Sequence, residues 1–259
     1  MLKYHIMSDI MIPTDKLKQF RISGDILKLI AAFAMLIDHA SFGILHAYLV
    51  KNAMSILPQT YTKLNNLYEI GRGIGRIAMP IFAFFIVEGF FRTSNLKKYI
   101  TRIAVFAILA EIPFDLGLYG TYLYIDHQNV LFTFLIGILM MASVRYINAL
   151  IPGLSNPVRV LVNVSAVIAF ADVAYMTKCD YSFKCILLIA VLYYFRNSEY
   201  FRLLLGGAIT CWEKYAPISF VLLYFYDPEV KPRLKYFFYI FYPAHLLIIF
   251  LINVLIIRM

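Results

Sequence analysis

LKLIAAFAMLIDHASFGILHAYLV, residues 27–50, is long enough and apolar enough to cross a bilayer as one helix. Its middle nevertheless holds an acid and an imidazole side by side, Asp38 and His39. Both are costly at bilayer depth unless they face protein or water, so such residues mark functional candidates.

The same pattern recurs along the chain. Eight further apolar runs lie near 77–91, 99–118, 130–149, 158–176, 182–195, 200–212, 215–226 and 236–257, separated by short turns with Pro, Gly, Asn or charges. With 259 residues, 62% of them hydrophobic, and a mean hydropathy of +0.75, a soluble core has no room for them all. The expected fold is all-α: a polytopic transmembrane helical bundle of nine spans, with eight or ten as the neighbouring counts. Several runs are nearer fifteen than twenty residues, which implies tilted, short or re-entrant segments. Residues 1–23 carry His5, Asp9, Asp15 and Lys16 where a signal peptide needs an unbroken apolar stretch, and read as a short cytoplasmic segment before one membrane domain, 24–259.

A cytoplasmic N-terminus puts fifteen Lys and Arg on the inner side against eight on the outer, the arrangement that topology favours. The net charge of +9 then reflects orientation and contact with anionic lipid headgroups, not nucleic acid. Cys179, Cys185 and Cys211 have neither metal-ligand spacing nor an even count, so no metal site and no disulfide framework is indicated.

Four stretches gather the polar residues. In the first, eleven residues advance a helix by three turns plus about 20°, so Lys28 and His39 share a stripe, and Asp38 points about 100° away, toward a basic partner on another helix. In the second, GRGIGR, Gly71–Arg76, makes a flexible, positively charged approach to a helix, with close helix packing as the competing reading, foremost for Gly73 and Gly75, and Glu88 and Arg92 form an i,i+4 pair at the far end. Arg92, Lys97, Lys98 and Arg102 then make a basic turn suited to phosphates or to anionic lipid. In the third, AEIPFDLG, Glu111 and Asp115 stand four residues apart and call for a cation or a shared proton; Arg72 or Arg76 is the expected cation, with Asp126, His127 and Asn129 continuing a polar mouth. In the fourth, Pro243 breaks the helix ladder just before His245, while Tyr239 and Tyr242 read as interfacial aromatics. A membrane histidine hydrogen-bonded across helices competes with the catalytic reading for both His39 and His245.

Together LKLIAAFAMLIDH, GRIAMPIFAFFIVEGF, KKYITRIAVFAILAEIPFD, NVLFTFLIGIL and KYFFYIFYPAHL resemble, in order, the TraX family of bacterial membrane proteins, from about Leu27 onward. The named member of that family acetylates the N-terminus of F-type pilin. A wider resemblance is to transmembrane acyltransferases that carry an Arg and a His with ten residues between them in the first span; Lys28 and His39 have that separation here, and Lys keeps the charge but loses the planar two-pronged grip.

The resemblance implies an acetyltransferase of the bacterial inner membrane that uses cytoplasmic acetyl-CoA and delivers acetyl to an amine of a pilin or peptide, or to a glycan hydroxyl, at the outer side. In that reading Lys28, Arg92, Lys97, Lys98 and Arg102 meet the donor, and His39 deprotonates the acceptor or is transiently acetylated. Asp38 supports the imidazolium, and Arg72, Arg76, Glu88, Glu111, Asp115, Asn129 and His245 supply the surrounding polar network. The alternatives are a proton- or ion-coupled transporter, since intramembrane Asp, Glu and His also make ion paths, and a non-enzymatic pilus assembly factor.

Overall fold

The computed structural model describes residues 21–230, 233–234 and 236–257. Most of the cytoplasmic segment expected at 1–23 therefore lies outside the described residues.

Each of the nine apolar runs is helical. A two-residue strand β1, Ile22–Ser23, leads into α1, Gly24–Ala40, whose first turn is capped by Ser23 Oγ accepting from the Ile26 amide at 3.3 Å. A wide π turn, Ser41–His46, carries α1 directly into α2, Ala47–Lys51, so the chain runs helical for 28 residues, about 42 Å. Next come α3, Pro58–Gly75, and α4, Ala78–Arg92, joined by a tight turn at Arg76 and Ile77. Asn95 caps α5, Leu96–Phe114, which widens after Pro113 into a second π turn, Asp115–Tyr119. Asn129 caps α6, Val130–Leu150; α7, Asn156–Met176, and α8, Ser182–Tyr194, follow. Two short helices, α9 at Glu199–Ile209 and α10 at Ile218–Tyr224, precede strand β2, Tyr226–Asp227, and the last long helix, α11, Phe237–Ile252, which ends in a third π turn, Asn253–Ile257.

Among the described residues, five helical stretches are long and apolar enough to cross a bilayer: 24–51, 58–92, 130–150, 156–176 and 237–255. The expectation of nine spans treats every apolar run alike, yet helices of 11 and 7 residues rise only about 16 and 10 Å, far less than a bilayer core. Instead α9 and α10 pack on each other, with Phe220 seated where any side chain at Gly206 would collide, at 2.2 Å. Helix α8, at 13 residues, is enclosed by α4, α6, α7 and α9, and Cys185, Ile186, Leu188, Ile189 and Leu192 are fully buried. The outward faces of the long helices stay apolar, as at Ile108, Leu161 and Ile248, which suits lipid contact. These features make the chain an all-helical membrane protein.

Two devices fix the ends. Strands β1 and β2 pair in parallel, Ile22 with Tyr226 and Ser23 with Asp227, tying the start of α1 to the connection before α11. At the opposite end the first two π turns meet α11, where Gly43 would place a Cβ 2.6 Å from the Gly117 carbonyl, and Gly117 would place one 2.7 Å from that of Leu246. Only glycine permits backbones to approach so closely.

Candidate functional site

His39 and His245 meet in the interior although 206 residues separate them. His39 Nδ1 lies 2.7 Å from His245 Nε2, and the rings are parallel within 5° with centroids 5.0 Å apart, an end-to-end arrangement. His245 Nδ1 lies 2.8 Å from the Phe241 carbonyl oxygen, which can only accept, so that nitrogen carries its proton. In the neutral ring Nε2 must then accept, and His39 Nδ1 must donate to it. The remaining nitrogen, His39 Nε2, is left with its lone pair as a base. His39 and His245 are 7% and 3% exposed, so the chain of hydrogen bonds is shielded from water and strengthened accordingly.

Asp38 turns away from its neighbour's ring, as the helical stripe requires. Its Oδ2 takes Arg72 Nη1 of α3 at 2.9 Å, so the expected basic partner on another helix is present. The approach is close because Gly71 and Gly75, one turn apart, face α1: a Cβ at Gly75 would lie 2.1 Å from Asp38 Cβ, and one at Gly71 would lie 1.9 Å from Ser41 Oγ. These glycines are part of α3 and pack it on α1; they are not a flexible approach to a helix. Gly73 points elsewhere, toward the Tyr215 ring. Arg76 reaches Glu213 at 3.4 Å and the Tyr181 hydroxyl at 3.4 Å. Tyr181 and Lys178 hold positive φ, 58° and 53°, in the turn that lays Tyr181 over the arginine.

Glu111 and Asp115 each take amide donors on one carboxylate oxygen, and neither arginine pairs with them. Asn129 donates from its backbone and its Nδ2 to Glu111 Oε2, and the Tyr124 amide donates to Asp115 Oδ2 at 2.8 Å. Those N–H groups are pinned by the loop and by the α6 cap, while Glu111 Oε1 and Asp115 Oδ1 are buried without a hydrogen-bond partner among the described residues. In the same loop Lys178 pairs with Asp126, and His127 Nε2 lies 3.4 Å from Asp180. The Asp180 hydrogen bond outweighs burial and raises the His127 imidazole above its ordinary value.

From the β1 end, a cavity of about 420 Å³ runs inward between α1, α4, α5 and α11. Lys28, Glu88, Arg92 and Arg102 line it, as do Met35 and Tyr242. Lys28 Nζ pairs with Asp25 at 2.9 Å and sits over the Phe85 and Phe238 rings. Arg102 Nε donates to the Tyr239 hydroxyl at 3.0 Å. Tyr239 and Tyr242 both line the cavity; Tyr242 is 5% exposed, buried deeper than an interfacial aromatic, and its ring meets both imidazoles edge-on, at 6.2 and 5.7 Å. Lys97 and Lys98 are exposed on the first turn of α5 and do not line the cavity.

Glu88 stands apart from Arg72 and Arg76, so the polar residues divide between the two ends of the bundle. Its carboxylate gathers Arg92 at 3.2 Å and Arg196 and Arg202 at 3.4 Å. Reading the sequence singled out neither Arg196 and Arg202 as Glu88 partners nor Glu213 and Tyr181 as partners of Arg76. The left-handed turn at 178–182 has no glycine to announce it.

Comparison with known proteins agrees with the motif order. No solved structure matches the chain. A relative from Dichelobacter nodosus described as "Probable fimbrial assembly protein FimC, serogroup H1" is 32% identical over 120 residues, 44% of this chain and 43% of the relative, so the match spans less than half of that protein's length. The family described as TraX protein matches residues 23–253, a stretch holding both histidines, the α1–α3 contact and the cavity, and the chain belongs to that family.

Proposed function

We propose that the protein is a membrane acetyltransferase that takes an acetyl group from acetyl-CoA at the β1 end of the bundle and delivers it to an amine or hydroxyl at the opposite end. One observation carries the reading. An imidazole with a defined tautomer, His39, adjoins through Tyr242 a cavity whose other end bears Lys28, Arg92 and Arg102. In this reading the β1 end is cytoplasmic, the membrane is the bacterial inner membrane, and the cations meet the anionic donor.

His39 Nε2 takes the proton from the acceptor N–H or O–H as that atom attacks the thioester carbonyl. The new bond joins the acceptor atom to the carbonyl carbon, the C–S bond breaks, and His39 returns the proton to the departing thiolate. His245 is a positioning residue: it accepts from His39 Nδ1 and is held by the Phe241 carbonyl. The Asp38–Arg72 pair holds α3 against α1 beside the imidazole, so Asp38 acts through position and field.

The relative's description as a fimbrial assembly protein favours a pilin-like N-terminal amine over a glycan hydroxyl. The test is turnover of acetyl-labelled acetyl-CoA by purified protein with a peptide bearing a pilin-like N-terminus. His39→Ala is expected to lower transfer at least about a hundredfold while the protein stays inserted and folded. Transfer retained by the folded variant removes His39 from the chemistry.

A further inference from the structure

A second cavity of about 430 Å³ adjoins the first and shares Glu88, Arg92 and Tyr226 with it. Its walls bring together four arginines from separate parts of the chain: Arg21 before β1, Arg92 at the end of α4, Arg196 after α8 and Arg202 on α9. Glu88, its side chain 8% exposed, is shared by three of them. Arg21 lies 3.6 Å from Asp227, and the carboxylates of Glu199 and Glu229 are on exposed residues.

The guanidiniums are under-used. Each offers five N–H donors in a fixed fork, yet among the described residues Arg202 Nε is buried with no acceptor, and Arg92 Nη1 donates to the Pro228 carbonyl at a long 3.3 Å. The chamber lining sets four arginines against three glutamates, of which only Glu88 is buried, and clustered arginine forks match phosphate oxygens bidentately.

The adjoining cavity has the complementary character: aromatic and aliphatic walls that extend from Glu88 and Arg92 to Met35 and Tyr242. Along α1 the rise from Lys28 to His39 is about 16 Å, the stretch an arm must cover between a charged head and a reactive acyl group.

We infer that the chamber formed by Arg21, Arg92, Arg196 and Arg202 holds the phosphate-bearing end of the acyl donor, while its arm lies in the apolar cavity that leads to His39. The inference rests on the acyl-transfer reading and moves the head-group site from the exposed Lys97 and Lys98 to the arginine chamber. Phosphate chemistry of this kind also occurs on anionic phospholipids, and the experiment separates the two sources.

Full-length protein in detergent is titrated with acetyl-CoA and with adenosine 3′,5′-bisphosphate, the head without the arm, and in a parallel arm with vesicles of phosphatidylglycerol. Arg202→Gln is expected to weaken the bisphosphate at least about tenfold, and Arg21→Gln, on a half-exposed side chain that tests the chamber without disturbing the Glu88 cluster, several-fold. Lys97→Gln with Lys98→Gln is expected to change it less than about twofold. Unchanged acetyl-CoA and bisphosphate affinity in both arginine variants, or loss confined to the lysine pair, overturns the chamber assignment and leaves the transferase reading standing. Nucleotide-free wild type that binds phosphatidylglycerol through Arg21 and Arg202 but neither nucleotide overturns the inference in favour of a lipid headgroup. Absence of acetyl-CoA binding together with absence of label transfer is the separate failure of the transferase reading.

Discussion

His245 gives the sharpest consequence at the level of single residues. If it acts by accepting from His39 Nδ1, a carbonyl oxygen should serve in its place. His245→Gln is then expected to keep a substantial part of the transfer rate, while His245→Ala loses at least about tenfold and shifts the acid limb of the pH profile. Equal losses in two folded variants would reduce His245 to packing. His127 has a different role. Its folded-state value is raised by Asp180, so the pair's contribution is fully present below the unfolded value and disappears as pH rises through the folded one. The amides of Gln128 and Asp180, which bond to the Lys178 and Gln128 carbonyls, report on that contact. Their hydrogen-exchange protection, corrected for intrinsic rates, should fall between about pH 6 and pH 8 and lose this dependence in Asp180→Asn. Protection that rises with pH would contradict the pairing.

Among the elements, α3 depends on its two glycines. A methyl group at Gly75 enters the space of Asp38 Cβ and Cγ, at 2.1 and 2.4 Å, and neither helix can yield without breaking the Arg72–Asp38 pair. Gly75→Ala is expected to cost about 1–3 kcal/mol and Gly75→Leu more, read as a lower midpoint in thermal unfolding in detergent. Gly73→Ala meets only the Tyr215 ring, the edge of one side chain, and should cost less. A Gly75→Ala protein as stable as wild type would show that α1 and α3 separate freely. The sequence shows a stretch rich in glycine and flanked by arginines, yet its close-packing reading falls on Gly73 and Gly75 and passes over Gly71, which faces Ser41. Which glycines face the partner is decided by the rotation of α3.

For the molecule as a whole, orientation is open to direct measurement. With Cys179, Cys185 and Cys211 changed to Ser, a cysteine at Met54, fully exposed between α2 and α3, should react with an impermeant thiol reagent from outside the cell. One at Ser94, in the exposed bend between α4 and α5, should react only after the membrane is opened. The reverse pattern would invert the bundle and put the arginine chamber outside.

Helical class, the positions of the apolar runs and the chemical types at the site are local properties. Periodic apolar stretches form helices wherever they lie, and Asp38, His39, Glu88 and His245 are conspicuous because charge is costly in an apolar run. Partnership is not local. His39 meets His245 across 206 residues, Glu88 collects arginines from the turn after α8, from α9 and from its own helix, and Tyr242 is buried against both imidazoles. Composition likewise reports how apolar a segment is, but only packing decides whether a short helix such as α8 is shielded by protein instead of spanning lipid. Each of these contacts depends on the relative rotation and depth of two helices, a sum over many side chains that no single stretch encodes.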